Sequence, residues 1–280
     1  MKTLTSIYFL LIFFSVGLSQ QSWEQFRNEK KGYYSTLEGS SVENFSCLVS
    51  SSDYILFIND KADSAYYFPL KVIWLKDGRT YSILQPFPPA MTDSMQARLI
   101  NKVEQLKKIL KGTLSDWQQL SLFTPFYDIP KNATVAFGED TVGVSYPFTE
   151  DNKAISLNKT FTRGGQLARV RWTTSNLEIV TYPYYRALEN KWVCRGWESQ
   201  FYHNGEITSG LAVELELKRV DDAWLPARFQ IAAQSQNNPT QKSVMLLYLK
   251  DYILNQKIEI ISEPSKTSEP PDSGQTSQQR

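Results

Sequence analysis

EITSGLAVELELKRV, residues 206–220, is the stretch in which apolar and polar side chains alternate most regularly along this chain. In an extended strand, one face of this segment would carry Leu211, Val213, Leu215 and Leu217. The opposite face would carry charged and small residues, among them Glu214 and Glu216. Such a pattern is typical of an antiparallel strand that packs on a core with one face and meets water with the other.

Comparable segments surround this one. After Asp221-Asp222, the segment WLPARFQIAA places Phe229 and Ile231 on one face, and VMLLYLKDYI follows as a last strand. Turn signals such as Asn204-Gly205 separate the preceding segments, which are VGVSY, AISLNKTFT, QLARVRW, LEIVTY and KWVCRGWESQFYH. We predict seven or so antiparallel strands in this half of the chain. About four more are predicted near the N-terminus, in VENFSCLVS, DYILFIN, LKVIWL and RTYSIL.

The period becomes helical between these two sets of strands. Leu99, Val103, Leu106 and Leu110 recur at spacings of three and four, so residues 93–111 are predicted to form an amphipathic helix. Asp93 would cap its N-terminus, and Gly112 would end it. A second short helix is expected after Ser115. The fold class is therefore mainly β with helical cover (α+β), a large curved antiparallel sheet that forms an unclosed half-barrel, with the amphipathic helix over its concave face.

The two ends of the chain differ from this domain. The run from Ile7 to Val16 is apolar but about half the length that a membrane span needs, and small residues follow it. Residues 1–19 therefore resemble a cleavable export signal, and we expect a periplasmic or extracellular protein without a stable membrane span. Residues 263–280 lack aliphatic and aromatic side chains and are expected to be a disordered tail. A single domain over residues 20–262 is predicted.

Charge and composition limit the partners. The 280 residues include 30 Lys and Arg against 29 Asp and Glu, and loss of Lys2 with the signal would balance them. No basic excess or stripe is present, so the sequence predicts no nucleic-acid partner. A single histidine and the absence of a CxxC motif predict neither a metal site nor a cofactor.

Cys47 and Cys194 are the only cysteines, and two interpretations of them are open. In an exported protein they could form a disulfide, which would stabilise the fold by about 4 to 5 kcal/mol. Alternatively, they are two buried thiols.

No catalytic signature is found. Nucleophilic catalysis usually needs a histidine base, and His203 lies beside a turn. Ser145 sits in GVSYP, which lacks the second glycine of a nucleophile elbow. Acidic residues that could act in pairs as in a glycosidase are Glu139-Asp140, Glu150-Asp151 and Glu198, although acids in loops are usually surface residues. We therefore predict that the chain is not an enzyme.

The order of elements resembles the LolA-like and LppX-LprG-like family of periplasmic lipoprotein and lipid carriers. The similarity is sharpest over residues 205–255, where a turn leads into Trp224-Leu225-Pro226 and the last strand contains Lys250-Asp251-Tyr252. The resemblance implies an unclosed β-barrel with a helical lid that binds acyl chains or a lipidated protein without catalysis.

The sequence thus predicts an exported soluble carrier or binding protein for a lipid, a lipoprotein acyl chain or another apolar ligand. Candidate residues lining its cavity are Leu99, Val103, Leu106, Leu211, Val213, Leu215, Leu217, Phe229 and Ile231, which could equally be core. The alternatives are an exported envelope-assembly or protein-interaction module without a small ligand, and a carboxylate-dependent glycosidase.

Overall fold

A computed structural model of the chain describes residues 22–37, 39–59, 62–89, 91–150, 153–236 and 238–257. The predicted export signal, residues 1–19, and the predicted tail, residues 263–280, lie outside these ranges. Among the described helices, none is both long enough and apolar enough to cross a membrane.

Three α-helices precede or interrupt the strands. They are α1 (Trp23–Lys30), α2 (Ser52–Ile58) and α3 (Asp93–Trp117), and a π-helical turn, Gln118–Leu122, continues α3. Short 3-10 turns follow α1 and α2, at Lys31–Tyr33 and Ser64–Tyr66. The hydroxyl of Ser22 caps α1 by accepting from Gln25 N, as its position before the first turn suggests.

Within the described residues, twelve strands form one antiparallel sheet, with three strands before α3 and nine after it. They are β1 (Asn44–Ser51), β2 (Leu70–Leu75), β3 (Thr80–Leu84), β4 (Thr134–Phe137), β5 (Thr141–Glu150), β6 (Lys153–Thr162), β7 (Leu167–Thr173), β8 (Leu177–Leu188), β9 (Lys191–His203), β10 (Glu206–Val220), β11 (Ala223–Ser235) and β12 (Asn238–Leu254). Their order in the sheet is β3-β2-β1-β12-β11-β10-β9-β8-β7-β6-β5-β4. Because β3 and β4 each have one neighbour, the sheet is unclosed, and the predicted mainly-β class is confirmed.

The hairpins follow from local turn chemistry. Asn204 and Gly205 join β9 to β10 with φ angles of 50° and 86°, the two positive values that a type I′ turn requires. Glu189 and Asn190, between β8 and β9, also both have positive φ angles. The turn between β2 and β3 contains Gly78 with a φ of 91°. The predicted bounds of β9 and β10 agree with the structure, because a turn of this kind fixes both strands beside it.

Sequence predictions for two elements are wrong, and a third element was not predicted. The segment DYILFIN was predicted as a strand, but the hydroxyl of Ser51 accepts from Tyr54 N and starts helix α2 there. Thr92, and not Asp93, caps the N-terminus of helix α3, and the helix continues through Gly112 to Trp117. Gly112 is exposed and has open space around it, so nothing ends the helix at that point. The short strand β4 was not predicted at all.

A single core lies against one face of the sheet, here called the inner face. Strand registers place Val213 beside Ile231 and Leu215 beside Phe229, which puts the apolar alternates of β10 and β11 on this face. The buried side chains of α3, including Leu99, Val103 and Leu106, belong to the same core cluster. The amphipathic stripe of α3 is therefore buried together with the inner face of the sheet.

Candidate functional site

The residues predicted to line a cavity are packed in or against the core, and Leu211 also borders a separate cavity beside β9, β10 and β11. Leu99, Val103, Leu106, Val213 and Phe229 are each at most 1% exposed. Leu215 and Ile231 are 4% and 7% exposed, and Leu211 and Leu217 are half-buried against the same cluster. That these nine residues bind a ligand stays a prediction.

A cavity of about 240 Å³ lies further along the inner face, between the C-terminal end of α3 and strands β7, β8 and β9. The helical side contributes Ser115 and Asp116 from α3, and Gln119 and Leu120 from the π-helical turn. The sheet side consists of Val170, Trp172, Ile179, Thr181, Ser199 and Phe201. The strand registers explain this set, because Trp172 pairs with Ile179, Val170 with Thr181 and Thr181 with Ser199.

The sheet side of this cavity is mainly apolar. Trp172 and Phe201 provide aromatic surface, and Val170 and Ile179 provide aliphatic surface. The hydroxyls of Thr181 and Ser199 lie 2.9 Å apart and bond to each other, so neither needs a ligand. A largely apolar wall with a few polar groups is the usual composition of a small-molecule site.

Asp116 is the ionisable residue of the cavity lining. Burial raises the pKa of its carboxyl from the ordinary 3.8 to about 6, and the indole N–H of Trp197 lowers that pKa by a smaller amount. Trp197 is fully buried, and its Nε1 has no hydrogen-bond partner among the described residues. The contact between this indole N–H and Asp116 therefore falls short of hydrogen-bond geometry. The site thus combines a partly desolvated carboxylate with an unsatisfied buried donor.

A second polar cluster fixes the chain just after the π-helical turn. The Lys159 ammonium forms an ion pair with Asp128 and donates to the Pro125 carbonyl at 2.9 Å, while the Tyr146 hydroxyl donates to Asp128 at 2.8 Å. Burial lowers the pKa of Lys159, and Asp128 partly opposes that change. These bonds tie the segment after α3 to β5 and β6, and so help to position the helical side of the cavity.

The residues considered for catalysis do not converge on this cavity. Ser145 lies in β5 and its hydroxyl accepts from the Asn158 amide, whereas His203 ends β9 and is exposed. Glu198 neighbours Ser199, so it points to the opposite face of β9. Glu139 and Asp140 lie between β4 and β5. Glu150 ends β5, and Asp151 is outside the described residues.

The two cysteines are free and buried, one in β1 and the other in β9. Three strands, β12, β11 and β10, separate those strands in the sheet. Burial raises the pKa of the Cys47 thiol to about 12 and that of Cys194 to about 11. The structure therefore shows the buried-thiol alternative, with both thiols protonated at neutral pH.

Comparison with protein-family models, with curated proteins and with solved structures finds no match to this chain. The resemblance to the LolA-like carriers stays a prediction. Within the described ranges, no group of three or more His, Cys, Asp or Glu side chains is placed to hold a metal ion.

Sequence reasoning missed Asp116 because the helix was expected to end at Gly112. The continuous helix carries Asp116 one turn further, onto the side that faces β9. Trp172 stood out in the sequence only as one of four tryptophans in the strands after α3, which fit a core as well as a site for an apolar ligand. The signal that could have found the site was the helical spacing of Thr113, Trp117 and Leu120, which extends the apolar stripe of α3.

Proposed function

We propose that this chain is an exported carrier or binding protein for a lipid or another ligand with an apolar body, and that the cavity beside Asp116 is its site. In this proposal the unclosed sheet acts as a half-barrel and the C-terminal end of α3 as its cover. The observation that carries the proposal is the 240 Å³ cavity with an aromatic sheet wall on the inner face of the sheet.

The size of the cavity limits its occupant. Pockets for drug-sized ligands usually measure about 300 to 1,000 Å³, so this cavity accommodates a small ligand or one tail of a larger one. Ser115 and Gln119 are exposed at its helical rim, which leaves a path for the rest of such a molecule.

The test has two parts. The native protein is extracted with organic solvent and the extract is analysed by mass spectrometry, where a bound amphiphile is the expected result. Purified protein is also titrated with N-phenyl-1-naphthylamine, a neutral probe whose fluorescence rises in apolar surroundings.

Ile179→Trp, which fills the cavity, should weaken probe binding at least roughly tenfold because a bulky ring takes the place of the ligand. Ile253→Trp makes the same substitution at an exposed position of β12 and should leave probe binding unchanged. Ser115→Trp at the exposed rim serves as a second variant if Ile179→Trp does not fold. A blank extract together with equal probe affinity in all variants would overturn the proposal.

An interaction module without a small ligand is the second candidate. Leu56 on α2 is 75% exposed and borders a surface cavity with Ile55, Phe68 and Tyr248. An exposed apolar cluster of this kind is typical of a protein contact. This candidate predicts the blank extract and the absence of specific probe binding.

A glycosidase needs two carboxyl groups about 5 to 9 Å apart in one cleft. The lining of the cavity beside α3 contains Asp116 as its single carboxylate, so this cavity does not provide that pair.

A further inference from the structure

We infer that the ligand of this cavity is a cationic amphiphile, whose ammonium group binds Asp116 while its apolar tail packs on Trp172, Ile179 and Phe201. This inference rests on the proposed function and specifies the chemical class of the ligand.

The cavity contains a negative charge without a positive partner. Asp116 is its single ionisable lining residue, and no Lys, Arg or His of the described residues neutralises it. An anionic ligand such as a fatty acid would therefore place a second negative charge beside a carboxylate. A cationic ligand would instead form an ion pair in partly desolvated surroundings.

The charged groups on the neighbouring elements are occupied or point elsewhere. Lys159 lies beside Val170 on the inner face, but its ammonium is bound by Asp128 and the Pro125 carbonyl. Arg171 and Glu178 alternate with the lining residues of β7 and β8, so they face the other side of the sheet, with 3.6 Å between their charged atoms.

Two lysines of α3 line a different cavity from Asp116. Lys107 and Lys111 border a separate cavity formed with β3, on the other side of Ser115. The cavity beside Asp116 is thus left with an uncompensated carboxylate.

The polar groups of the site are also incompletely hydrogen-bonded. Trp197 Nε1 is fully buried without a hydrogen-bond partner among the described residues, and its electrostatic contact is Asp116. A bound ammonium would hold Asp116 in its ionised form, which is the better acceptor for the indole N–H. One ligand group would therefore satisfy the carboxylate and strengthen its contact with Trp197.

The aromatic wall of the cavity also favours a cation. Trp172 and Phe201 line the same small cavity as Asp116, so an ammonium bound there would share the cavity with two aromatic rings. Aromatic faces attract cations as well as alkyl chains. The wall therefore suits both ends of an alkylamine.

The experiment compares three ligands that share a decyl chain: decylamine, 1-decanol and decanoate. Each displaces N-phenyl-1-naphthylamine from the full chain at pH 7.5, below its micelle concentration. We expect decylamine to bind roughly tenfold to a hundredfold more tightly than 1-decanol, as a charge-assisted contact implies, and decanoate to bind most weakly. Lowering the pH to 4.5 protonates Asp116 and should remove most of the preference for the amine.

Asp116→Asn should equalise the affinities for decylamine and 1-decanol. Asp93→Asn removes the same charge from the other end of α3 and should keep the wild-type preference. If Asp116→Asn does not fold, the pH titration of the wild type decides.

Two outcomes separate this inference from the proposed function. If 1-decanol displaces the probe but the preference for the amine is absent, or persists in Asp116→Asn, the cationic-ligand inference is wrong and the binding function stands. If the wild-type protein binds neither the probe nor any decyl ligand, both are wrong.

Discussion

Replacing Asp116 by Asn is expected to stabilise the fold at neutral pH. Burial raises the pKa of this carboxyl from 3.8 to about 6, so the folded chain holds the proton more tightly than the unfolded chain does. Between those two values the unfolded chain has lost the proton that the folded chain keeps. The free energy of unfolding therefore falls as the pH rises through this window and is level above it.

The size of the effect follows from the same pKa. The pKa in the folded chain lies about two units above that in the unfolded chain, and each unit corresponds to about 1.4 kcal/mol. The effect on the free energy of unfolding is therefore roughly 3 kcal/mol. This is an upper value because Asp116 is partly exposed. The amide of Asn resembles the protonated acid and carries no charge. Asp116→Asn should therefore raise the free energy of unfolding by about 2 to 3 kcal/mol at pH 7.5 and by close to nothing at pH 3.5.

The assay is urea unfolding followed by tryptophan fluorescence at both pH values. Asp93→Asn serves as the control, because it removes a carboxylate from the N-terminal turn of α3 and should cost about 0.3 to 1 kcal/mol at pH 7.5. A gain for Asp116→Asn that is equal at both pH values, or no gain at either, would show that the carboxylate is not strained by burial.

Four further substitutions test the packing around the site. Gly196→Ala should destabilise the fold by about 1 to 3 kcal/mol in urea unfolding, since the new Cβ would overlap the Val213 carbonyl oxygen; an unchanged midpoint would contradict this close approach. Asp128→Ala should lower the free energy of unfolding by about 3 to 5 kcal/mol, because it leaves the buried Lys159 ammonium without its ion pair. Lys159→Met should lower it by about 1 to 3 kcal/mol, because the Asp128 carboxylate that it leaves is half-exposed. A larger loss for Lys159→Met than for Asp128→Ala would refute this account. Phe229→Ala should cost about 3 to 5 kcal/mol and leave probe affinity unchanged in the folded fraction, and a changed affinity would place Phe229 at the ligand.

The sequence predicts the strands after α3 well because their signals are local. The alternation over residues 206–220 and the positive φ of Asn204 and Gly205 fix β9, β10 and the hairpin between them. Residues 53–59 lacked such a signal. A short apolar run fits a strand or a helix, and the Ser51 cap together with the burial of Tyr54 and Ile58 four residues apart selects the helix.

The site could not be predicted to the same extent. Alternation shows which side chains share a face, but it does not show where along that face a helix leaves space. Phe229 and Phe201 both belong to apolar alternations, yet Phe229 is fully buried and Phe201 borders the cavity. The difference depends on where the end of α3 lies, and that position depends on contacts distant in sequence such as the one between Lys159 and Asp128.

The pairing of β1 with β12 has a consequence for the order of folding. Every other neighbour in the sheet is the next strand along the chain, so each of those pairs can form soon after its second strand has been synthesised. Phe45, in contrast, pairs with Leu254, which leaves the ribosome roughly 200 residues later, so this pairing carries the largest loop-closure cost. The hairpin of β2 and β3 and its neighbour β1 must therefore wait with an unpaired strand edge until nearly the whole polypeptide has emerged, and this interval is when aggregation threatens the nascent chain most.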